Sequence, residues 1–204
     1  MANPKLRQMI EAREFISAPG VFDMISTLVA DEMGFPALYV TGYGVAASHM
    51  GLPDAGIMTY TDMETRVRSI VKRAKTPVIA DADTGYGGLL NVRHTVRGYE
   101  DAGVTAIQIE DQEYPKKCGH TPGRRVVPLE EMIAKIKVAN DSRSSPDFLI
   151  IARTDSRTSL GLDEALRRGN AFEQAGADVV FIEAPESIEE MQTINDRINS
   201  PTLI

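Results

Sequence analysis

Apolar positions along the chain fall into two patterns that alternate. Short continuous runs occur at Ala37-Leu-Tyr-Val-Thr41, Thr76-Pro-Val-Ile-Ala-Asp81, Thr105-Ala-Ile-Gln-Ile-Glu110, Asp147-Phe-Leu-Ile-Ile-Ala-Arg153 and Asp178-Val-Val-Phe-Ile-Glu183. Runs without polar alternation predict strands buried on both faces, as in a parallel sheet. Phe15-Ile-Ser17 reads as an additional first strand, and Thr202-Leu-Ile204 as the start of a seventh. Between the runs, apolar residues recur at helical spacing. Val67, Ile70, Val71 and Ala74 form one stripe, Leu129, Met132, Ile133 and Ile136 a second, and Leu162, Ala165, Leu166 and Phe172 a third. Thr61-Asp-Met-Glu64 and Ser187-Ile-Glu-Glu190 read as capping sequences at helix starts. Gly34, Gly103 and Gly176 each follow a helical pattern and precede a strand, the position of a left-handed helix stop.

Strand and helix thus alternate, which admits a (β/α)8 barrel or an open doubly wound sheet. The strand ends choose between them. The runs finish on Thr41, on Asp81 and Asp83, on Glu110 and Asp111, on Arg153 and Asp155, and on Glu183. In a barrel every strand end opens onto one face, whereas an open sheet uses only the strands beside its switch point. Polar ends on five strands favour the barrel. A typical barrel takes about 250 residues. The expectation is therefore one domain over 1–204, a (β/α)8 TIM barrel truncated before its seventh and eighth units are complete.

Composition narrows the setting. The chain has 204 residues, a formal net charge of -7 and one cysteine. No basic block is present, so a nucleic-acid partner is not expected. No apolar run reaches the roughly 18 residues of a membrane span, and no signal-peptide core is seen. A single thiol cannot form an internal disulfide, which fits a reducing, cytoplasmic setting.

That thiol lies in an unusual place. Lys116-Lys-Cys-Gly-His120 puts Cys118 among polar groups, where a thiol kept for packing would have apolar neighbours. It could act as nucleophile or proton donor; the alternative is a surface loop with an incidental cysteine. Asp81-Ala-Asp-Thr-Gly-Tyr-Gly87 places two carboxylates at a strand end, and with Glu110 they suit Mg²⁺, which takes few carboxylates and keeps several waters. Singly, each acid could instead cap a helix or a turn. Thr41-Gly-Tyr-Gly44 could present backbone N–H groups to an anion or form only a tight turn. Arg153 could grip a carboxylate or pair with Asp155 or Glu183. Gly119 would allow close approach to a ligand. His94 reads as a surface or packing residue, and His49 is ambiguous.

Taken in order, Tyr39-Val-Thr-Gly42, Gly51-Leu-Pro-Asp54, Asp81-Ala-Asp-Thr-Gly-Tyr-Gly87, Ile109-Glu-Asp-Gln112, Lys116-Lys-Cys-Gly-His120, Ile151-Ala-Arg-Thr-Asp155 and Phe181-Ile-Glu183 resemble the isocitrate lyase/phosphoenolpyruvate mutase superfamily. The Cys118 motif resembles its carbon–carbon lyases, in the short branch of 2-methylisocitrate and 2,3-dimethylmalate lyases. The resemblance implies cleavage of a 2-hydroxy di- or tricarboxylate to a 2-oxo acid. It implies Mg²⁺, with Mn²⁺ as an alternative, held by Asp81 directly and by Asp83, Glu110 and Asp54 around it. Thr41, Gly42, Tyr43, Lys116, Gly119 and Arg153 would bind substrate. Cys118 would protonate the carbanion, with His120 and Glu183 in support, and Tyr39 is the candidate base. A small carboxylate partner and a homotetramer are also implied. Oxaloacetate hydrolysis, phosphonate P–C chemistry and a non-catalytic barrel are the alternatives.

Overall fold

The computed structural model describes residues 2–204. Seven parallel strands, β1 (Gly20–Val21), β2 (Leu38–Val40), β3 (Val78–Asp81), β4 (Ala106–Glu110), β5 (Leu149–Thr154), β6 (Val179–Ile182) and β7 (Thr202–Leu203), pair in sequence order. Such an order never reverses, so there is no switch point, and the doubly wound alternative is excluded. The sheet curls as a barrel does, with β1 and β7 at its two edges.

Residue parity sorts the strands. Ala37, Ile79, Ala106, Leu149, Ile151 and Val179 pack with one another, and Leu6 and Met9 of α1 (Pro4–Glu11) close over them. Their neighbours Leu38, Ile107, Ile109, Ile150, Val180 and Ile182 face the other way. They join Val67 and Ile70 of α4 (Tyr60–Val71), Val92 and Val96 of α5 (Leu89–Ala102), Met132 and Ile136 of α6 (Leu129–Ser142) and Phe172 of α8 (Leu162–Gln174). Both layers bury whole side chains, each stabilising by about 1.5–3 kcal/mol relative to exposure. The inner parity continues to the polar strand ends: from 37 to Tyr39 and Thr41, from 79 to Asp81, from 106 to Gln108 and Glu110, from 151 to Arg153, and from 179 to Phe181 and Glu183. Alternation thus sends one side chain from each strand into the barrel mouth. Asp111 has the opposite parity and turns outward, accepting from Thr154 Oγ1 at 2.7 Å and Arg168 Nη1 at 2.9 Å.

Two local expectations need correction. Phe15–Ser17 is not the first strand, and Phe15 is 94% exposed. The strand is Gly20–Val21, and the Pro19 carbonyl accepts the Tyr39 N–H at 3.0 Å just before it. A two-residue strand containing glycine carries too little side chain to register as an apolar run. The box at the start of α4 is Thr59 with Asp62, not Thr61 with Glu64. Asp62 Oδ2 accepts the Thr59 N–H at 2.9 Å, while Glu64 accepts from Arg68 Nε at 2.6 Å. Ser187 caps α9 (Ile188–Arg197) as expected, accepting the Glu190 N–H at 3.2 Å. The three glycine stops all adopt positive φ, Gly34 at 77°, Gly103 at 91° and Gly176 at 101°. Among the described residues no helix is long and apolar enough to cross a membrane.

Candidate active site

A cavity of about 1820 Å³ runs through the curled sheet, and its upper wall is formed by Tyr39, Thr41, Tyr43, Asp54, Asp81, Cys118, Gly119, His120, Arg153 and Glu183. Ten of the residues expected at the site therefore line one space. Asp83, Glu110 and Lys116 lie behind that wall, almost fully buried.

Asp81 ends β3 and is held by backbone donors. Its Oδ2 accepts from Gly42 N–H at 3.2 Å and its Oδ1 from Asp83 N–H at 2.9 Å. Gly42 is required for this approach, because a Cβ there would sit 2.7 Å from Asp81 Oδ2. Asp83 itself is a non-glycine residue at φ 48°, a costly conformation kept where the surroundings impose it. The Thr41–Gly44 turn is a short helix, α3 (Gly42–Val45), capped by Thr41. Its Gly42 and Gly44 amides are already engaged, by Asp81 and by Thr41 Oγ1 at 3.4 Å. As an anion nest it is therefore largely occupied by the chain's own carboxylate and hydroxyl.

Lys116 is not turned toward the cavity. Its Nζ bridges Asp54 Oδ1 at 2.5 Å and Asp83 Oδ1 at 2.7 Å. Burial disfavours this ammonium, but Asp81, Asp83, Glu110 and Asp54 together hold its pKa above the usual range. Burial pushes Asp83 up to about 6 against the pull of Lys116, and it also raises Glu110 against the pull of Arg153. In this structure Lys116 thus clamps the acid cluster and does not line the cavity itself.

Arg153 ends β5 and is the hub of the opposite side. Its Nε and Nη2 make a fork onto Asp155, at 3.0 Å to Oδ2 and 2.9 Å to Oδ1. Glu110 Oε2 lies 3.5 Å from Nε and Glu183 Oε2 3.3 Å from Nη1. The Phe181 ring centroid is 5.1 Å from its guanidinium carbon. Both partners named from sequence, Asp155 and Glu183, are present at once.

The loop after β4 brings Cys118 to this hub. Cys118 N–H donates to Asp54 O at 3.0 Å. Gly119 rests directly on the Arg153–Glu183 pair: a Cβ would come within 2.5 Å of Arg153 Nη2 and Glu183 Oε1. Cys118 is partly exposed on the cavity wall. His120 also lines the cavity but is exposed and has no side-chain hydrogen bond among the described residues. The structure therefore brings Glu183 to the Cys118 segment and places His120 on the same cavity wall as Cys118. Tyr39 donates its hydroxyl to Gln108 Oε1, and burial raises its pKa well above the ordinary phenol value. As a base, Tyr39 would work against that shift. His94 packs on Tyr60 with centroids 4.6 Å apart, and His49 contacts Arg66, so neither joins the site.

Among the described residues no three His, Cys, Asp or Glu side chains converge as a ready metal cage. Asp54, Asp83 and Glu110 are drawn toward cations of the chain, whereas Asp81 has only backbone donors. The donor set still fits Mg²⁺. The mouth gathers Asp54, Asp81, Asp83, Glu110, Asp155 and Glu183 against only Lys116, Arg124 and Arg153. A hard cation that binds one carboxylate directly and others through water suits such an excess of buried acid. With only backbone donors on it, Asp81 is the carboxylate left open to such an ion, the direct ligand that the resemblance implies, with Asp83, Glu110 and Asp54 around it.

Comparison with known proteins gives the family. Residues 6–204 match the family described as phosphoenolpyruvate phosphomutase. The chain is 54% identical over 199 residues to 2,3-dimethylmalate lyase of Eubacterium barkeri, covering 98% of this chain and 69% of that one. A crystal structure of 2,3-dimethylmalate lyase superposes with a TM-score of 0.95 at 42% identity, covering 100% of this chain and 70% of the other. A structure of oxaloacetate acetylhydrolase with the inhibitor 3,3-difluorooxalacetate superposes with a TM-score of 0.94 at 39% identity, over 97% and 69% of the two chains. The chain thus spans roughly two thirds of the length of these relatives. It belongs to the phosphoenolpyruvate phosphomutase family, within the phosphoenolpyruvate mutase/isocitrate lyase superfamily of enzymes, and its sequence sits beside that of a named lyase.

Proposed function

We propose that this site cleaves the C2–C3 bond of a 2-hydroxy di- or tricarboxylate of the 2,3-dimethylmalate or 2-methylisocitrate type. The products are a 2-oxo acid such as pyruvate and a second carboxylate. The observation that carries this reading is the seating of Gly119, next to Cys118, on the Arg153–Glu183 pair, with Cys118 and Asp81 lining the same cavity. Bound Mg²⁺, or Mn²⁺ in its place, would supply Lewis acidity toward the 2-hydroxyl and its neighbouring carboxylate. Asp81 would hold the ion, with Asp83 and Glu110 acting through water.

The chain's own residues do the rest. Arg153, fixed by its fork onto Asp155 and lining the cavity, would bind the oxygen that becomes the carbonyl. Thr41 and Tyr43, which line the cavity, would hold a substrate carboxylate. The 2-hydroxyl gives its proton to a base on the cavity wall, for which Tyr39 as phenolate is the candidate. The O–H electron pair stays on oxygen and forms the C2=O bond, while the C2–C3 pair passes to C3 and spreads into the adjacent carboxylate as an enediolate. Cys118 Sγ then gives its proton to C3. A thiol is protonated near neutral pH yet able to transfer that proton, as a general acid requires. We carry forward a homotetramer as the assembly, supported by the exposed apolar residues Ile25, Val29 and Met33 along α2 (Met24–Glu32) and just beyond its end.

The test follows 2-oxo acid release by the full chain with Mg²⁺ on 2,3-dimethylmalate, 2-methylisocitrate, isocitrate and oxaloacetate. Turnover of one of the hydroxy acids is expected, and no turnover on any of them defeats the reading. Hydrolysis of oxaloacetate to oxalate and acetate is the second reading, favoured by the likeness to oxaloacetate acetylhydrolase. Turnover of oxaloacetate alone, unaffected by Cys118→Ser, would establish it.

A further inference from the structure

The segment that carries Cys118 hangs between two buried cations, and only one of them belongs to the acid cluster. The loop is stitched at its base by a Gln112–Val126 bridge and by Glu113 N–H donating to Arg125 O at 2.9 Å. Between these points Tyr114, Pro115, Lys117, Thr121, Pro122 and Gly123 are exposed. Lys116 and Arg124 are the side chains that turn inward, 3% and 4% exposed. Lys116 anchors the outgoing limb to Asp54 and Asp83. Arg124 anchors the returning limb elsewhere: its Nη1 lies 3.3 Å from Asp155 Oδ1 and its Nη2 donates to Thr158 Oγ1. Asp155 is the carboxylate that holds Arg153, and Oδ1 is shared by the two guanidinium groups.

We propose that Arg124 is a positioning residue, which registers the Cys118-Gly119-His120 segment against Arg153 through the shared Asp155 carboxylate. The inference rests on the reading of Cys118 as the proton donor. Bulk packing does not explain the residue. Arg124 Nε is buried with no partner, a cost that a purely structural side chain would avoid. The adjacent Arg125 shows the alternative, lying 79% exposed with Glu113 Oε2 2.7 Å from its Nε. What Arg124 adds is a common reference. Proton donor and substrate-binding guanidinium are referred to one carboxylate, itself fully buried at the end of β5 and held by Asp111 Oδ1 through its own N–H at 3.0 Å. Misplacing a reacting group by about 1 Å costs on the order of 100-fold in rate.

The experiment uses the full chain and reads two quantities. Cys118 is the only cysteine, so alkylation by iodoacetamide reports that residue alone. In Arg124→Ala the returning limb loses its anchor while Arg153 keeps its fork on Asp155. Alkylation should accelerate about tenfold, and kcat should fall by about tenfold or more with KM nearly unchanged. Arg124→Lys should recover part of kcat, because an ammonium can reach Asp155 but not Asp155 and Thr158 together as the guanidinium does. An unchanged alkylation rate in Arg124→Ala overturns the proposal, whatever happens to activity. Should that variant fail to fold, Thr158→Val removes one partner of Arg124 without exposing a charge. Faster alkylation in it supports the proposal, and an unchanged rate overturns it. Alkylation needs no turnover, so the positioning role is tested even if no hydroxy acid is cleaved.

Discussion

Gly119 leaves no space for a side chain, since its Cβ position is already filled by Arg153 Nη2 and Glu183 Oε1 at 2.5 Å. Gly119→Ala must therefore push the ion pair apart or lift the Cys118 segment. Either displacement should lower kcat/KM by about 100-fold. The melting temperature should move by only a few degrees, because the loop is largely exposed and contributes little to the core. A Gly119→Ala enzyme with normal kinetics would mean that the loop does not sit on Arg153 during turnover. At this scale the sequence discloses residues whose position follows from strand parity: Asp81, Glu110, Arg153 and Glu183 stand at strand ends and face inward. It does not disclose the partners of residues whose place depends on reach. Lys116 lies in the right motif but turns to Asp54 and Asp83. Arg124 is indistinguishable in sequence from Arg125, and only burial separates them.

Elements are set by their caps and stops, and here the reading depended on how much side chain marks each boundary. Three glycine stops were visible because a left-handed residue after an apolar stripe leaves a clear signature. The first strand was not, because Gly20–Val21 offers one apolar side chain while the exposed Phe15 offers a misleading one. At α4 two threonines compete for the cap, and Thr59 wins because Asp62 reaches back to its N–H. Thr59→Ala should therefore cost about 1 kcal/mol in urea unfolding at neutral pH, whereas Thr61→Ala should cost little. The bonds from the Thr59 hydroxyl and amide hold the Asp62 pKa below its ordinary value. A depressed folded-state pKa contributes stability above the unfolded value of about 3.9, which is lost as pH falls through the lower folded value. The penalty of Thr59→Ala should thus shrink below about pH 4. A penalty independent of pH would mean that the Asp62 carboxylate takes no part in the cap.

The whole molecule follows from the sequential order of its strands, which gathers every inward strand end at one mouth. That architecture was legible, because continuous apolar runs and polar strand ends recur throughout the chain. The charge economy of the mouth was not, because it depends on which acid each buried cation meets. Asp81 is left with backbone donors alone, so the account assigns it the cation. Mg²⁺ should raise the melting temperature, a ligand at 100 times its dissociation constant adding about 2.7 kcal/mol. Asp81→Asn should abolish that shift. An equal shift in both proteins would place the ion elsewhere.

The most direct measurement is the rate of 2-oxo acid release from 2,3-dimethylmalate, with Mg²⁺, by the wild-type chain and by Cys118→Ser. The account predicts pyruvate-class product from the wild type and a rate about 10²–10⁴-fold lower in the variant, the contribution of a general acid. Equal rates in the two proteins would contradict it.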